Sequence, residues 1–211
     1  MARQISIKRL IFSFLIATGV FLLIFLLSFG ISYLNFQKVA SEQQSILYDL
    51  LNLNAHDQLV GVSCTNSSLV PLSKQLNDMS TVIGLLETKM GKNNPSVIES
   101  KKLYTAIEIQ HFLQVLKYNE FCNASISTAL FFYSNVENPS ASETTGYILS
   151  TLKAKNPDNL MIYSIDYDLN IPIINILKQK YSIEGPNTII INESVKLSNI
   201  TNINQLGNYL K

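Results

Sequence analysis

Gly185-Pro186-Asn187-Thr188-Ile189-Ile190-Ile191 sets a glycine and a proline directly before a β-branched run. Glycine permits backbone conformations closed to other residues, proline fixes φ, and the isoleucines favour a pleated, buried surface. The stretch therefore predicts a tight turn feeding a buried strand. Outward from it, residues 126–211 alternate short apolar runs with helical patterns.

Upstream, Ala129-Leu130-Phe131-Phe132-Tyr133 is an aromatic-rich run suited to a strand buried on both faces. Ser140-Ala141-Ser142-Glu143 has capping-box spacing and opens a helix with Tyr147, Ile148, Leu149 and Leu152 on its apolar side. Leu160-Met161-Ile162-Tyr163-Ser164-Ile165 is the next strand, and Asn170 is placed to cap a helix through Pro172 that ends near Tyr181. After the opening turn and strand, Val195-Lys196-Leu197 makes a short strand and residues 202–210 a closing helix. The expected class is α+β, with the C-terminal part ordered β-α-β-α-β-β-α.

The N-terminal part differs in kind. Residues 10–34 read LIFSFLIATGVFLLIFLLSFGISYL, without a charge. Twenty-five helical residues rise about 38 Å, enough to cross a ~30 Å hydrocarbon core with some tilt. A cleaved signal peptide would have a shorter apolar region and a small-residue cleavage site. Arg3, Lys8 and Arg9 precede the span and only Lys38 follows it closely, so the positive-inside rule puts residues 1–9 in the cytoplasm and the rest outside. Setting those three cations aside leaves 13 against 15 acids, a net charge near −2. That balance excludes a nucleic-acid surface.

Residues 35–125 read as a helical stalk and hairpin. Val39, Ile46, Leu47, Leu50, Leu51 and Leu53 continue the membrane helix at three- and four-residue spacing, to pair with the next helices or with a second copy of the chain. A helix over 69–90 carries Leu72, Leu76, Met79, Val82, Ile83 and Leu86 on one face. Gly91-Lys92-Asn93-Asn94-Pro95 breaks it, and Ser96 is a good N-cap for a second helix with Leu103, Ile107, Phe112, Leu113 and Leu116 inward. Two antiparallel helices of similar length bring Cys64 and Cys122 together, which predicts a disulfide at the base of the hairpin; two separate buried thiols are the alternative. Both lie on the outward side, with N-x-S/T sequons at Asn66, Asn123, Asn192 and Asn199, compatible with a glycosylated surface.

The order strand, helix, strand, helix, proline-led strand, strand, helix resembles the thioredoxin fold, over roughly residues 127–211. The resemblance makes Pro186 the family's proline before the third core strand, normally cis and facing the active site. It aligns Glu137-Asn138-Pro139-Ser140 with the Cys-Gly-Pro-Cys motif: the proline stays and both cysteines are gone. Disulfide exchange requires a thiolate, so no redox chemistry and no cofactor are implied. The resemblance leaves a groove at Gly185, Pro186 and Asn187 for a protein or peptide partner added as a strand. The whole chain resembles archaeal membrane-anchored proteins in which a coiled helical stalk carries an outward thioredoxin-like domain. The alternatives are a structural or signalling stalk that homodimerises through its helices, and an enzyme of another kind.

No catalytic constellation stands out. Glu137 and Ser140 are explained by capping and helix-dipole chemistry, with a polar ligand contact as the sharper alternative. Asp166 and Asp168 either cap the next helix or make a weak hard-cation site. His56 and His111 supply too few ligands for zinc. No nucleophile elbow, phosphate loop or dinucleotide fingerprint is present.

Overall fold

The computed structural model describes residues 7–59, 61, 62, 64, 69–207 and 209. Its first element is one continuous helix, α1 (Ile7–Leu59), whose 53 residues extend about 80 Å. The part over Ile7–Gly30 has a mean hydropathy of 2.9 and is not buried by the protein, so this N-terminal helix is long and apolar enough to cross a membrane. Beyond it, α1 packs on α2 (Leu69–Met90) and α3 (Pro95–Cys122). Leu47 lies against a core of Leu72, Leu76, Met79, Ile83 and Leu86 from α2 and Val97, Tyr104 and Ile107 from α3.

The rest is a mixed sheet between helices: β1 (Ser127–Tyr133), α4 (Pro139–Lys155), β2 (Leu160–Asp166), α5 (Pro172–Lys180), β3 (Thr188–Ile191), β4 (Val195–Ser198) and α6 (Asn204–Gly207). The strand order is β2-β1-β3-β4. β1 and β2 run parallel, with Ser127 opposite Leu160 and Tyr133 opposite Asp166; β3 and β4 join antiparallel. Residues alternate between faces. Ala129, Phe131, Ile189 and Ile191 meet Ile148, Leu149 and Leu152 of α4 and Leu206 of α6. Leu130, Phe132, Tyr163, Ile165 and Ile190 meet Ile174 and Leu177 of α5. Ile109, Phe112 and Val115 of α3 belong to that second core too, so the hairpin covers one face of the sheet.

Three helix starts differ from the sequence reading for one reason. Pro95, Pro139 and Pro172 each occupy the first helical turn, where a missing N–H costs nothing, and the cap position is the residue before. Asn94 caps α3 in place of Ser96, its side chain accepting from Ser96 N at 3.0 Å. Asn138 caps α4 in place of Ser140, accepting from Ala141 N. Ile171 precedes α5 without a side-chain cap, and Asn170 lies outside the helix. Leu103 and Leu113 are exposed: α3 is packed by α1, α2 and the sheet, and these two fall on the remaining side.

The Gly185–Pro186 bond is trans, as is every described peptide bond, correcting the cis expectation. The chain reverses instead at Asn187, whose φ of 58° lies in the left-handed region that asparagine tolerates. Thr188 Oγ1 donates to Gly185 O at 3.0 Å and closes the turn.

Candidate functional site

The carboxyl ends of two parallel strands are where open α/β sheets commonly place ligands. Here they carry the four motif-aligned residues and the Pro186 turn, joined by hydrogen bonds. Ser142 Oγ donates to Asn187 Oδ1 at 2.6 Å and accepts from Ser134 N at 3.0 Å. Ser134 Oγ accepts from Val136 N and Glu137 N and donates to Asp168 Oδ2 at 2.7 Å. Asn187 is buried, and its carbonyl accepts from Asn199 N. Glu137, Asn138, Pro139 and Ser140 are all exposed. The turn expected to receive a peptide has therefore committed the carbonyls of Gly185 and Asn187 and the Asn187 side chain within the chain.

Beside this network lies a buried ionic bridge. Lys101 of α3 binds Glu87 of α2 at 2.8 Å and Asp166 at the end of β2. Burial opposes the ammonium charge, but Asp166 and Glu87 outweigh it and hold the Lys101 pKa above its ordinary value. Asp166 Oδ1 also accepts from Asp168 N, which closes the turn after β2, while its other oxygen faces Lys101; neither Asp166 nor Asp168 caps α5, contrary to the capping expectation. Lys92 at the hairpin tip donates to Asn135 Oδ1 at 2.9 Å.

Farther along α3, a cavity of about 250 Å³ opens on the outer edge of β2, between α2, α3 and α4. Glu108 of α3 lines it. Its Oε1 accepts from Ser164 N at 3.0 Å, whereas Oε2 is buried without a hydrogen-bond partner. Tyr104 Oη is a neighbour of this carboxyl but gives its proton to Leu76 O at 3.2 Å. Burial raises the Glu108 pKa to about 8, against the opposing pull of the Ser164 amide and Tyr104, so the side chain is mainly protonated at neutral pH. Since Ser164 N–H points outward, strand alternation directs the N–H and C=O of Ile162 to the same side. On that edge, Lys153 of α4 donates to Leu160 O at 2.6 Å.

His111 is deeply buried on the same helix. Nδ1 lies 2.8 Å from Tyr163 Oη and Nε2 lies 3.1 Å from Leu69 O. The carbonyl can only accept, so Nε2 carries the hydrogen and Nδ1 accepts from the tyrosine. Desolvation lowers the His111 pKa to about 4, which keeps the ring neutral. With both nitrogens occupied, it is not placed to activate a serine. The side chain of His56 lies outside the described residues. Among the described residues no group of three or more His, Cys, Asp or Glu could hold a metal.

Cys64 and Cys122 form a disulfide, as the antiparallel helices require, and Tyr118 Oη donates to Cys64 O beside it. Asn66 is outside the described residues. Asn123 is the left-handed C-cap of α3, Asn199 is exposed, and Asn192 is exposed with its Oδ1 accepting from Thr128 N at 2.8 Å. Sequence reasoning missed Glu108 and its cavity. Glu108 is one of three acids along α3, and nothing local marks its face as the one that a strand edge will cover. No family model, no curated protein and no solved structure matches the chain.

Proposed function

We propose that this chain is a single-pass membrane protein, its N-terminus cytoplasmic, whose outward part is a redox-inactive thioredoxin-like domain that binds an extended segment of a protein or peptide partner. Seven elements in the order of that fold, gathered into one mixed sheet, support the fold reading. The apolar α1, with Lys8 and Arg9 in its first turn and Arg3 before it in the sequence, supports the anchor and its direction. Two observations support the absence of thiol exchange: Glu137-Asn138-Pro139-Ser140 replaces the dithiol motif, and the chain's two cysteines are bonded to each other.

One observation carries the partner-binding reading. The outer edge of β2 is a strand edge with the main-chain groups of Ile162 turned outward, and it borders a cavity into which Glu108 holds an unpartnered buried oxygen. An extended segment laid there gains main-chain hydrogen bonds, and the protonated Glu108 carboxyl can donate to a carbonyl of that segment. This reading puts the site on the β2 edge, because the carbonyls of Gly185 and Asn187 already accept bonds within the chain.

Panning a random-peptide display against the full chain in nanodiscs tests this. Selected peptides should slow amide hydrogen exchange at Ile162, and Ser150→Trp, on the exposed side of α4 at the cavity mouth, should abolish their binding. Peptides that protect no β2 amide, or binding indifferent to Ser150→Trp, would remove this assignment. Insulin reduction with turnover would overturn the redox-inactive part.

A further inference from the structure

The order of contacts along α1 fixes which end of the domain faces the anchor. The α2–α3 tip lies beside the outer part of the apolar segment: Phe25, Ser28, Phe29 and Tyr33 share a groove of about 520 Å³ with Met90, Asn94 and Ser96. Higher up, Leu47 meets the core between α2 and α3, Gln114 Nε2 donates to Asn54 Oδ1, and Cys64 is bonded to Cys122. So α3 runs away from the apolar segment, from Pro95 to Cys122.

Strands β1 and β2 run the other way. Asn119, near the far end of α3, binds Ile126 just before β1 through both its amide atoms. Glu108 meets Ser164, Lys101 meets Asp166 at the end of β2, and Lys92 at the tip meets Asn135 just past β1. Thr188 pairs with Phe132, so the Pro186 turn lies at this same end. If Lys8 and Arg9 mark the inner boundary, about 20 residues span a ~30 Å core and reach Phe29. The groove then straddles the outer boundary of the hydrocarbon.

We infer that the end of the domain carrying Val136, the four residues Glu137 to Ser140 and the Pro186 turn rests on the outer leaflet, and that phospholipid fills the groove between α1 and the hairpin tip. Phe25, Phe29 and Met90 offer apolar wall to an acyl chain; Ser28, Tyr33, Asn94 and Ser96 offer polar groups at the depth of esters and head groups. The groove continues the surface of an apolar helix that the protein leaves uncovered, which selects lipid as its occupant. Val136, 78 % exposed on a loop held at the depth of the tip, presents an apolar side chain to the surroundings at that level. The inference rests on the reading of α1 as a membrane anchor.

Four single-cysteine probes on the full chain in phospholipid nanodiscs test it, with Cys64 and Cys122 left as their disulfide: Phe21→Cys in the span, Ser96→Cys in the groove, Val136→Cys on the loop and Ser125→Cys at the far end. Each is labelled with an environment-sensitive dye and exposed to nitroxide lipids labelled on the head group or the acyl chain. The expected result is several-fold stronger head-group quenching at Val136 and Ser96 than at Ser125, and acyl quenching at Phe21. Quenching at Phe21, with Val136 no more quenched than Ser125 or with Ser96 unquenched, overturns the inference while the anchor stands. An unquenched Phe21 probe refutes the anchor, and the inference with it.

Discussion

Raising the pH from 6.5 to 8 should destabilise this protein by about 2 kcal/mol, through Glu108. Its carboxyl is nearly solvent-free and its pKa is raised from 4.5 to about 8, so the folded state holds a proton that the unfolded chain gives up above 4.5. A raised folded pKa contributes stability that is complete below 4.5 and lost as the pH climbs to 8, at about 1.4 kcal/mol per pH unit. His111 works in the opposite sense. Its pKa falls from 6.5 to about 4, so its contribution is complete above 6.5 and lost on acidification toward 4. Between 4.5 and 6.5 the two slopes offset each other; between 6.5 and 8 only Glu108 acts, over about one and a half pH units. Glu108→Gln keeps an oxygen for the Ser164 amide and cannot titrate, so its stability should change by about 2 kcal/mol less across this window. Urea unfolding of the full chain in micelles, followed by circular dichroism at half-unit pH steps, measures both proteins. The same slope in wild type and Glu108→Gln would refute the placement of a buried, proton-holding carboxyl.

Replacing Cys64 and Cys122 by serine opens a loop closed by residues 58 apart, and the chain-entropy relation gives a loss of about 4 kcal/mol, readable as a lower urea midpoint; mass measurement after alkylation without reduction should find no alkylated cysteine in the wild type. Lys101→Met leaves the buried Asp166 without its cation and should cost about 3–5 kcal/mol, whereas adding Asp166→Leu should recover a large part of it in the same unfolding assay.

Local chemistry made much of the architecture legible. β-branched and aromatic runs located β1, β2 and β3, because strands buried on both faces need continuous apolar sequence. Gly91 with Pro95 marked the hairpin turn, and the two helices around it placed the cysteines together. What escaped was decided by non-local packing. That α3 covers a face of the sheet depends on Ile109, Phe112 and Val115 meeting strand residues far along the chain, which helical periodicity cannot register. Leu103 and Leu113 have core-like spacing, yet α3 has already met three neighbours and leaves them outside. The caps were legible in principle, since each proline points to the residue before it. At the Pro186 turn the sequence narrows the φ of proline but not the isomer of the bond before it, and a left-handed Asn187 supplies the reversal. Glu108 was the least legible of all: its chemistry arises from burial against β2, an element far along the chain that also supplies the Ser164 amide.

The disulfide ties the polypeptide into a covalent ring from Cys64 to Cys122 that holds α2, the tip and α3. A protease that cuts anywhere inside that ring severs the backbone but releases nothing, since the two pieces stay joined through sulfur. Shedding the sheet from α1 requires a cut before Cys64 or after Cys122, or a cut within the ring followed by a reductant. Under oxidising conditions the hairpin is thus a segment that can be nicked without detaching what it carries.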